Sequence, residues 1–441
     1  MNGQKIAILG AGRSGIAVAR AAKARGAEPT IYDAKPLGQL PKLDEGIKIV
    51  GNHTQPFTAN QADILVTSPG VDSRSPILKE TQKNGVEIIG EVEFAYRIAQ
   101  SRIIAITGTN GKSTTTVMAW LCMNELKPGN AKLCGNIYGS GYDEVPLVEA
   151  AASSGPEDVL VAEISSFQLE WIDEFRPKCA AITNITPDHL NRYNGFADYA
   201  ATKRKIYSNM GNGDTYVHHS DLMTTPSENA PFTVLKTLYD NREIYLGHTR
   251  IQIENLPFKE CHNIQNAAMA ATLAMAMVTP SWDSPTPEQT KEIEQGLKNF
   301  HGIAHRMERM GSKNGVELIN NSMCTNPGAI VASSSSIHSP QHLLIGGITK
   351  DLDFTPVGEY LAKSENKAYL FGSDGDKISE QLKGSFPVFT TMGEAFAAAI
   401  NTAKPGEVVM LAPGCASMDQ YLDFRARGDE FRQLAKEWLD D

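Results

Sequence analysis

The sequence predicts an α/β protein built from three strand-and-helix modules, and two observations carry that expectation. Twice an apolar run enters a glycine-rich loop and leaves it as a helix pattern, at residues 5–15 (KIAILGAGRSG) and 102–116 (RIIAITGTNGKSTTT). Short apolar runs then alternate with alanine-rich helical stretches toward the C-terminal region, the pattern of parallel sheets covered by helices. A chain of 441 residues at roughly 100–200 residues per domain corresponds to about three modules. The expected boundaries are 1–100, 101–304 and 305–441.

Charge and cysteine usage narrow the function classes. With 51 Asp and Glu against 41 Lys and Arg, the net charge of −10 argues against a nucleic acid or an anionic membrane as partner, since neither is attracted to a negative surface. The six cysteines show no C-x-x-C spacing, so free thiols in a reducing cytoplasm are expected rather than a zinc or redox pair. No apolar stretch approaches membrane-spanning length. The expectation is a cytoplasmic protein that works as a monomer on small molecules.

In the first module the glycines of GAGRSG follow a strand and open a helix, and Asp33 closes the next strand, PTIYD. This is the arrangement that places a pyrophosphate on a helix N-terminus and an acidic residue near a ribose hydroxyl. It fits NAD and any other nucleotide diphosphate alike, and a glycine turn used only for packing is the bland reading. The runs DILVTS and VEIIG continue the module as strands.

The second module opens with GTNGKS. Gly108 and Gly111 let backbone N–H groups turn toward phosphate oxygens, with Thr109 and Asn110 between them. Lys112 brings a point charge, and Ser113 or Thr114 a hydroxyl for Mg²⁺. Only two residues separate these glycines, so the loop departs from the general phosphate-loop spacing; ATP is the expected ligand. The strand VLVAE ends in Glu163, a carboxylate suited to Mg²⁺ or to helix capping. The run AAITNI is read as a strand leading to Asp188 and His189 at the same edge, where the histidine is either a ligand or structural.

The pattern FADYAATKRKIYSNM predicts a helix whose apolar stripe, Phe196, Tyr199, Ala200, Ile206, Tyr207 and Met210, is interrupted by Lys203. Such a lysine either snorkels to water or is buried, and a buried amine tends to lose its proton. A neutral amine can add CO₂ to give an anionic carbamate. A polar stretch from Ser220 to Arg250 reads as an irregular insertion, followed by the helix CHNIQNAAMAATLAMAM. Its Asn263 and Asn266, three apart, serve either a planar base or the helix cap. The third module starts near His305 and Arg306, with VELIN, HLLIGG, AYLFG and EVVMLAP as strands. Lys350 and Ser417 lie beyond strand ends there, and the lack of Gly/Ser-rich linkers implies clefts that close.

At GTNGKSTTT, EISSFQLE, NITPDHLNRY, ATKRKIY and CHNIQN the chain resembles the Mur ligases over nearly its whole length. ISSFQLE and APGCASMDQYLDF are most similar to the versions in members that add D-glutamate. The resemblance implies a Rossmann-like nucleotide-binding first domain, a central ATPase-like parallel sheet and a Rossmann-like third domain. It implies an ATP-dependent amide ligase of peptidoglycan-precursor synthesis, with UDP-N-acetylmuramoyl-L-alanine and glutamate as substrates and ATP and Mg²⁺ as cofactors. Carried over at matching positions, Lys112 meets the ATP phosphates. Ser113, Thr114 and Glu163 hold one Mg²⁺, and His189 with carbamylated Lys203 a second. Gly12, Ser14 and Asp33 match the UDP segment, Asn136 an acceptor contact, and Asn263, Asn266 and Arg306 ATP contacts. Thr325, Lys350, Ser417 and Phe424 match residues holding glutamate. One departure stands out: where D-glutamate-adding members carry D-S-K-A-T-N, this chain has NSMCTN, with Asn321 and Met323 in place of Asp and Lys. The resemblance therefore leaves L-glutamate as the rival amino acid. An NAD-dependent dehydrogenase using GAGRSG is the alternative from another class, and it gives GTNGKS and Lys203 no job.

Overall fold

Parallel strands with helical crossovers need buried, apolar edges on both faces, and the three longest sheets are built of such strands. In the computed structural model, residues 1–44, 46–189, 192–219, 224–227, 229–279 and 285–441 are described. The first sheet is five-stranded, in the order Lys48–Val50, Glu28–Tyr32, Lys5–Leu9, Ile64–Thr67 and Glu87–Gly90, all parallel. Ile6, Ile8, Ile31, Leu65 and Val66 are almost wholly buried in it. The second sheet has seven strands, with Arg102–Thr107 between Cys179–Ile182 and Val159–Glu163. The loop GTNGKS therefore leaves the sheet between two strand ends, the edge where α/β folds bind ligands.

These two sheets belong to one compact unit, residues 1–138 and 142–301. Glu93, fully buried on the helix Glu91–Ile98, helps to join them: its Oε2 accepts from the backbone N–H groups of Asp173, Glu174 and Phe175 at 2.9, 3.1 and 2.9 Å. The other unit, residues 139–141 and 302–441, holds a six-stranded sheet. Its edge strand Glu308–Lys313 runs antiparallel to Val316–Asn320; next come Val408–Leu411, Gln341–Gly346, Lys367–Phe371 and Val388–Phe389, all parallel.

Three expectations need correction. Residues 220–223 and 228 lie outside the described residues, but from residue 233 the stretch is regular: Thr233–Lys236 adds an edge strand to the second sheet, and Leu238–Tyr239, Glu243–Leu246 and Thr249–Gln252 form a small antiparallel sheet. The alternation in EIYL, with Ile244 and Leu246 buried, and the turn at Gly247 (φ 55°) carry the hairpin. The run AAITNI ends as a strand at Ile182. Beyond it Thr183 N–H still donates to Thr107 O and Asn184 O accepts from Thr109 N–H, both at 2.9 Å, while their side chains bond the carbonyl of Asn110. The lysine-bearing helix is also shorter than the pattern: Phe196–Arg204 is α-helical and Lys205–Tyr207 tightens to a 3₁₀ turn.

Candidate active site

The loop after Arg102–Thr107 requires its glycines. Gly108 has φ 147°, and a Cβ there would sit 1.8 Å from Thr183 Oγ1. Gly111 has φ 81° and caps the helix Lys112–Leu126; its Cβ would meet Asn266 Oδ1 at 2.6 Å. Backbone without side chains thus faces the start of a helix whose first N–H groups have no partner within it, an anion site by construction. The loop is held from outside. Asn110 N–H donates to Asn184 Oδ1 at 2.9 Å, Asn184 Nδ2 returns a bond to Asn110 O at 3.0 Å, and Thr109 Oγ1 meets Tyr199 Oη at 3.1 Å.

Lys203 is 2 % exposed, and its Nζ donates to Gly108 O at 2.7 Å while lying 4.8 Å from the centre of the Tyr199 ring. Burial, then the neighbouring charge of Lys112, push its pKa down to about 7, with Asp188 and Glu163 opposing. The amine is thus substantially neutral near neutral pH, and the snorkelling reading is excluded. Lys112 Nζ donates to Thr109 O at 2.8 Å. His189, at φ 52°, is pushed below the usual imidazole range by burial, against Asp188 and with Lys112 and Lys203. One end of the second sheet therefore gathers Lys112, Lys203, His189, Asp188 and Glu163 within electrostatic reach.

Glu163 is 3 % exposed; Oε1 accepts from Asn136 Nδ2 at 2.9 Å, and Oε2 has no hydrogen-bond partner among the described residues. An orphan carboxylate oxygen at the end of a strand next to the loop's own strand, and the nearly buried hydroxyls of Ser113 and Thr114 at the helix start, are donor types that a hard cation takes. Among the described residues no three His, Cys, Asp or Glu side chains converge on one point. Asn266 joins this group: it is buried, and its Oδ1 accepts from Thr115 Oγ1 at 3.2 Å. Asn263 instead bonds Glu260 at the helix start, at 3.2 Å, so the two amides are not used alike.

At GAGRSG the loop closes on Asp33, whose Oδ2 accepts from Ala11 N–H at 2.8 Å and Oδ1 from Lys35 N–H at 2.9 Å. Gly12 precedes the helix Arg13–Ala24 and is exposed, and a Cβ there would meet nothing within 4 Å. Gly15 packs so closely that its Cβ would lie 2.1 Å from Gly10 O. Ser14 faces buried Glu91, which also accepts from Gln168 Nε2; burial raises the Glu91 pKa against both hydrogen bonds. In the C-terminal unit Ser417 is buried, Thr325 and Lys350 are exposed, and Phe424 opens the helix Phe424–Asp440 with its ring 6.3 Å from His305. Arg306 lies before the edge strand, in a bridge with Ile303.

Three family models match successive parts of the chain: "Mur ligase MurD-like, N-terminal domain" over residues 4–90, "Mur ligase middle domain" over 106–274 and "Mur ligase, glutamate ligase domain" over 305–415. The chain belongs to the Mur ligase family. Members of that family are ATP-dependent, ADP-forming amide ligases of peptidoglycan-precursor synthesis. The chain is 34 % identical to a UDP-N-acetylmuramoylalanine--D-glutamate ligase of Koribacter versatilis, covering 99 % of this chain and 98 % of the relative. It is 32 % identical to the protein of the same description from Alkaliphilus metalliredigens, with 98 % of each covered. The solved UDP-N-acetylmuramate-alanine ligase of Thermotoga maritima shares the fold, with a TM-score of 0.57 at 16 % identity over 99 % of this chain and 100 % of that one.

Against this Mur ligase frame, sequence reasoning missed several residues. Thr183 and Asn184 brace the GTNGKS loop, and their signal was their place just past a strand end. Arg13 donates to Ile137 O at 3.2 Å and lies 4.8 Å from the Tyr138 ring, a long-range contact with no local signature. The departure at NSMCTN is partly structural: Asn321 Oδ1 accepts from Met307 N–H at 3.2 Å, and Met323 N–H donates to His305 O at 2.9 Å.

Proposed function

We propose that the chain joins D-glutamate to the alanyl carboxylate of UDP-N-acetylmuramoyl-L-alanine at the expense of ATP, through an acyl phosphate. The observation that supports this most is the buried amine of Lys203 at the carbonyl of Gly108, beside Lys112 and the orphan oxygen of Glu163. Full-length relatives carrying that description add their weight.

In this reading Gly108, Thr109, Asn110 and Gly111 present backbone N–H groups to the ATP phosphates, and Lys112 offsets the charge that moves to the carboxylate during transfer. Ser113, Thr114 and Glu163 hold one Mg²⁺, and His189 with the carbamate of Lys203 a second; the cations supply charge stabilisation to the transferring phosphoryl group. Asn266 takes the nucleotide side of the loop, with Asn263 and Arg306 as further nucleotide contacts. Gly12, Ser14 and Asp33 take the uridine diphosphate, Asp33 through the lone pairs left by its two backbone bonds. Asn136 orients Glu163 toward the acceptor. Thr325, Lys350, Ser417 and Phe424 hold glutamate so that its amine attacks the acyl phosphate and phosphate leaves. We assign residues 1–100 to the uridine nucleotide, 101–304 to ATP and 305–441 to the amino acid, in a cytoplasmic monomer. Among the described residues no helix is long and apolar enough to cross a membrane.

Asn321 and Met323 favour a second reading, the same chemistry with L-glutamate, because a lysine that helps fix the amino acid is absent. Phosphate release by the purified chain, with ATP, Mg²⁺, D-glutamate and a panel of UDP-muramoyl acceptors, tests the assignment. Release only with the L-alanyl acceptor is expected; release with none, or with a tripeptide acceptor alone, rejects it.

A further inference from the structure

A guanidinium taken out of water normally ends on a carboxylate, because a buried charge without a counter-charge is costly. Arg427, in the first turn of Phe424–Asp440, is fully buried and does not. Its Nε donates to Ser322 Oγ at 3.1 Å, its Nη2 to Ser322 O at 2.9 Å, and its Nη1 to Cys415 O at 3.1 Å and Gly346 O at 3.5 Å. Every acceptor is neutral. The ionisable groups around it are Cys415, Cys324, Asp419 and Tyr421. Asp419 turns its Oδ2 to Ser373 N–H at 3.0 Å instead, and burial drives both thiols up to about 12, so they stay uncharged.

The three acceptor residues stand at or just past the carboxyl ends of three adjacent parallel strands, Val316–Asn320, Val408–Leu411 and Gln341–Gly346. The loops that follow carry Thr325, Ser417 and Lys350 respectively. Ser322 Oγ passes the contact on to Phe424 O at 2.7 Å. One side chain thus ties together the segments bearing all four residues proposed for the amino acid. It also leaves a positive charge without a direct ion pair under that edge, the carboxylate of Asp419 acting on it only through space.

We infer that Arg427 is a positioning residue of the amino-acid pocket, setting its preference for an acidic amino acid through a buried charge that has no direct ion pair among the described residues. The inference rests on the proposed ligase reading. Its test compares each variant with the parent in the same assay, so a parent that does not use glutamate rejects the reading and not the role of Arg427.

The measurement is kcat/KM for D-glutamate over that for D-glutamine, with KM for ATP and acceptor alongside. In Arg427→Met the ratio should fall by about tenfold, the effect of one uncompensated charge a few ångströms beyond contact. ATP and acceptor KM should stay within about twofold, since those sites are built elsewhere. Arg427→Lys keeps the charge and should keep the ratio at pH 7. Burial lowers the pKa of an introduced lysine, so in that variant KM for glutamate should climb with pH where the parent's does not, a readout that survives if the methionine variant fails to fold. An unchanged ratio in Arg427→Met, or a lysine variant that tracks the parent at every pH, would overturn the inference.

Discussion

Two glycine loops sit at equivalent places in two parallel sheets, yet they tolerate side chains very differently. At GTNGKS both glycines have positive φ and each points its missing Cβ into a polar atom, of Thr183 or Asn266. At GAGRSG the outer glycines are crowded too, Gly10 (φ 110°) against Ser68 and Gly15 against Gly10 O, but the middle glycine, Gly12, opens on empty space, and the loop is pinned there by the carboxylate of Asp33. The first is a cradle closed at both glycines and braced from one neighbouring strand end and from the helix carrying Asn266; the second is a collar open at its middle. Transferring charge demands groups already in place before the reaction, whereas holding a nucleotide handle demands only affinity. In the proposed function the closed loop serves the chemistry and the open one binding.

Breaking the cradle should cost most. Lys203→Ala is expected to reduce kcat by about a thousandfold or more, the scale of a lost charge-stabilising group, with partial recovery in short-chain carboxylic acids that stand in for the carbamate; phosphate-release kinetics read both. Gly108→Ala forces a left-handed φ and a clash with Thr183, and should abolish measurable ATP binding by calorimetry, leaving the first sheet intact. Acidification tests the same amine. With its pKa lowered to about 7, Lys203 is protonated below that value and neutral above it, so carbamate formation monitored by ¹³C NMR with labelled bicarbonate should fall as pH drops through 7.

On the collar, Ser14→Trp should raise KM for the uridine acceptor by about tenfold or more while KM for ATP changes little, a loss of binding alone. Competitive binding of NADH at micromolar levels would contradict this assignment. Gly12→Ala is the smallest effect, within about threefold in any parameter, since the position has room and no positive φ. Equal sensitivity of Gly12 and Gly108 would erase the contrast between the loops.

The same contrast explains what the sequence disclosed. A cradle of glycines followed by Lys and two hydroxyl residues states its backbone and charge requirements locally, so GTNGKS, Glu163 at a strand end and Lys203 on an apolar stripe were all legible. The braces past the neighbouring strand were not, because Thr183 and Asn184 reach the loop from a distant segment and their residue types serve caps and turns equally well. Arg427 was hidden for a related reason: in DFRARGD it reads as one charge among several on a polar helix start. Only the convergence of three strand ends shows that it is buried. The small sheet at Leu238–Gln252 was lost because its strands are short and half polar.

The most direct measurement places the purified chain with ATP, Mg²⁺ and UDP-N-acetylmuramoyl-L-alanine, offers D- and L-glutamate side by side, and follows amide product together with phosphate. Product and phosphate in equal amounts with the D enantiomer, and little with the L, is the predicted result; strong preference for L-glutamate would contradict the D-glutamate assignment and place specificity in the NSMCTN segment.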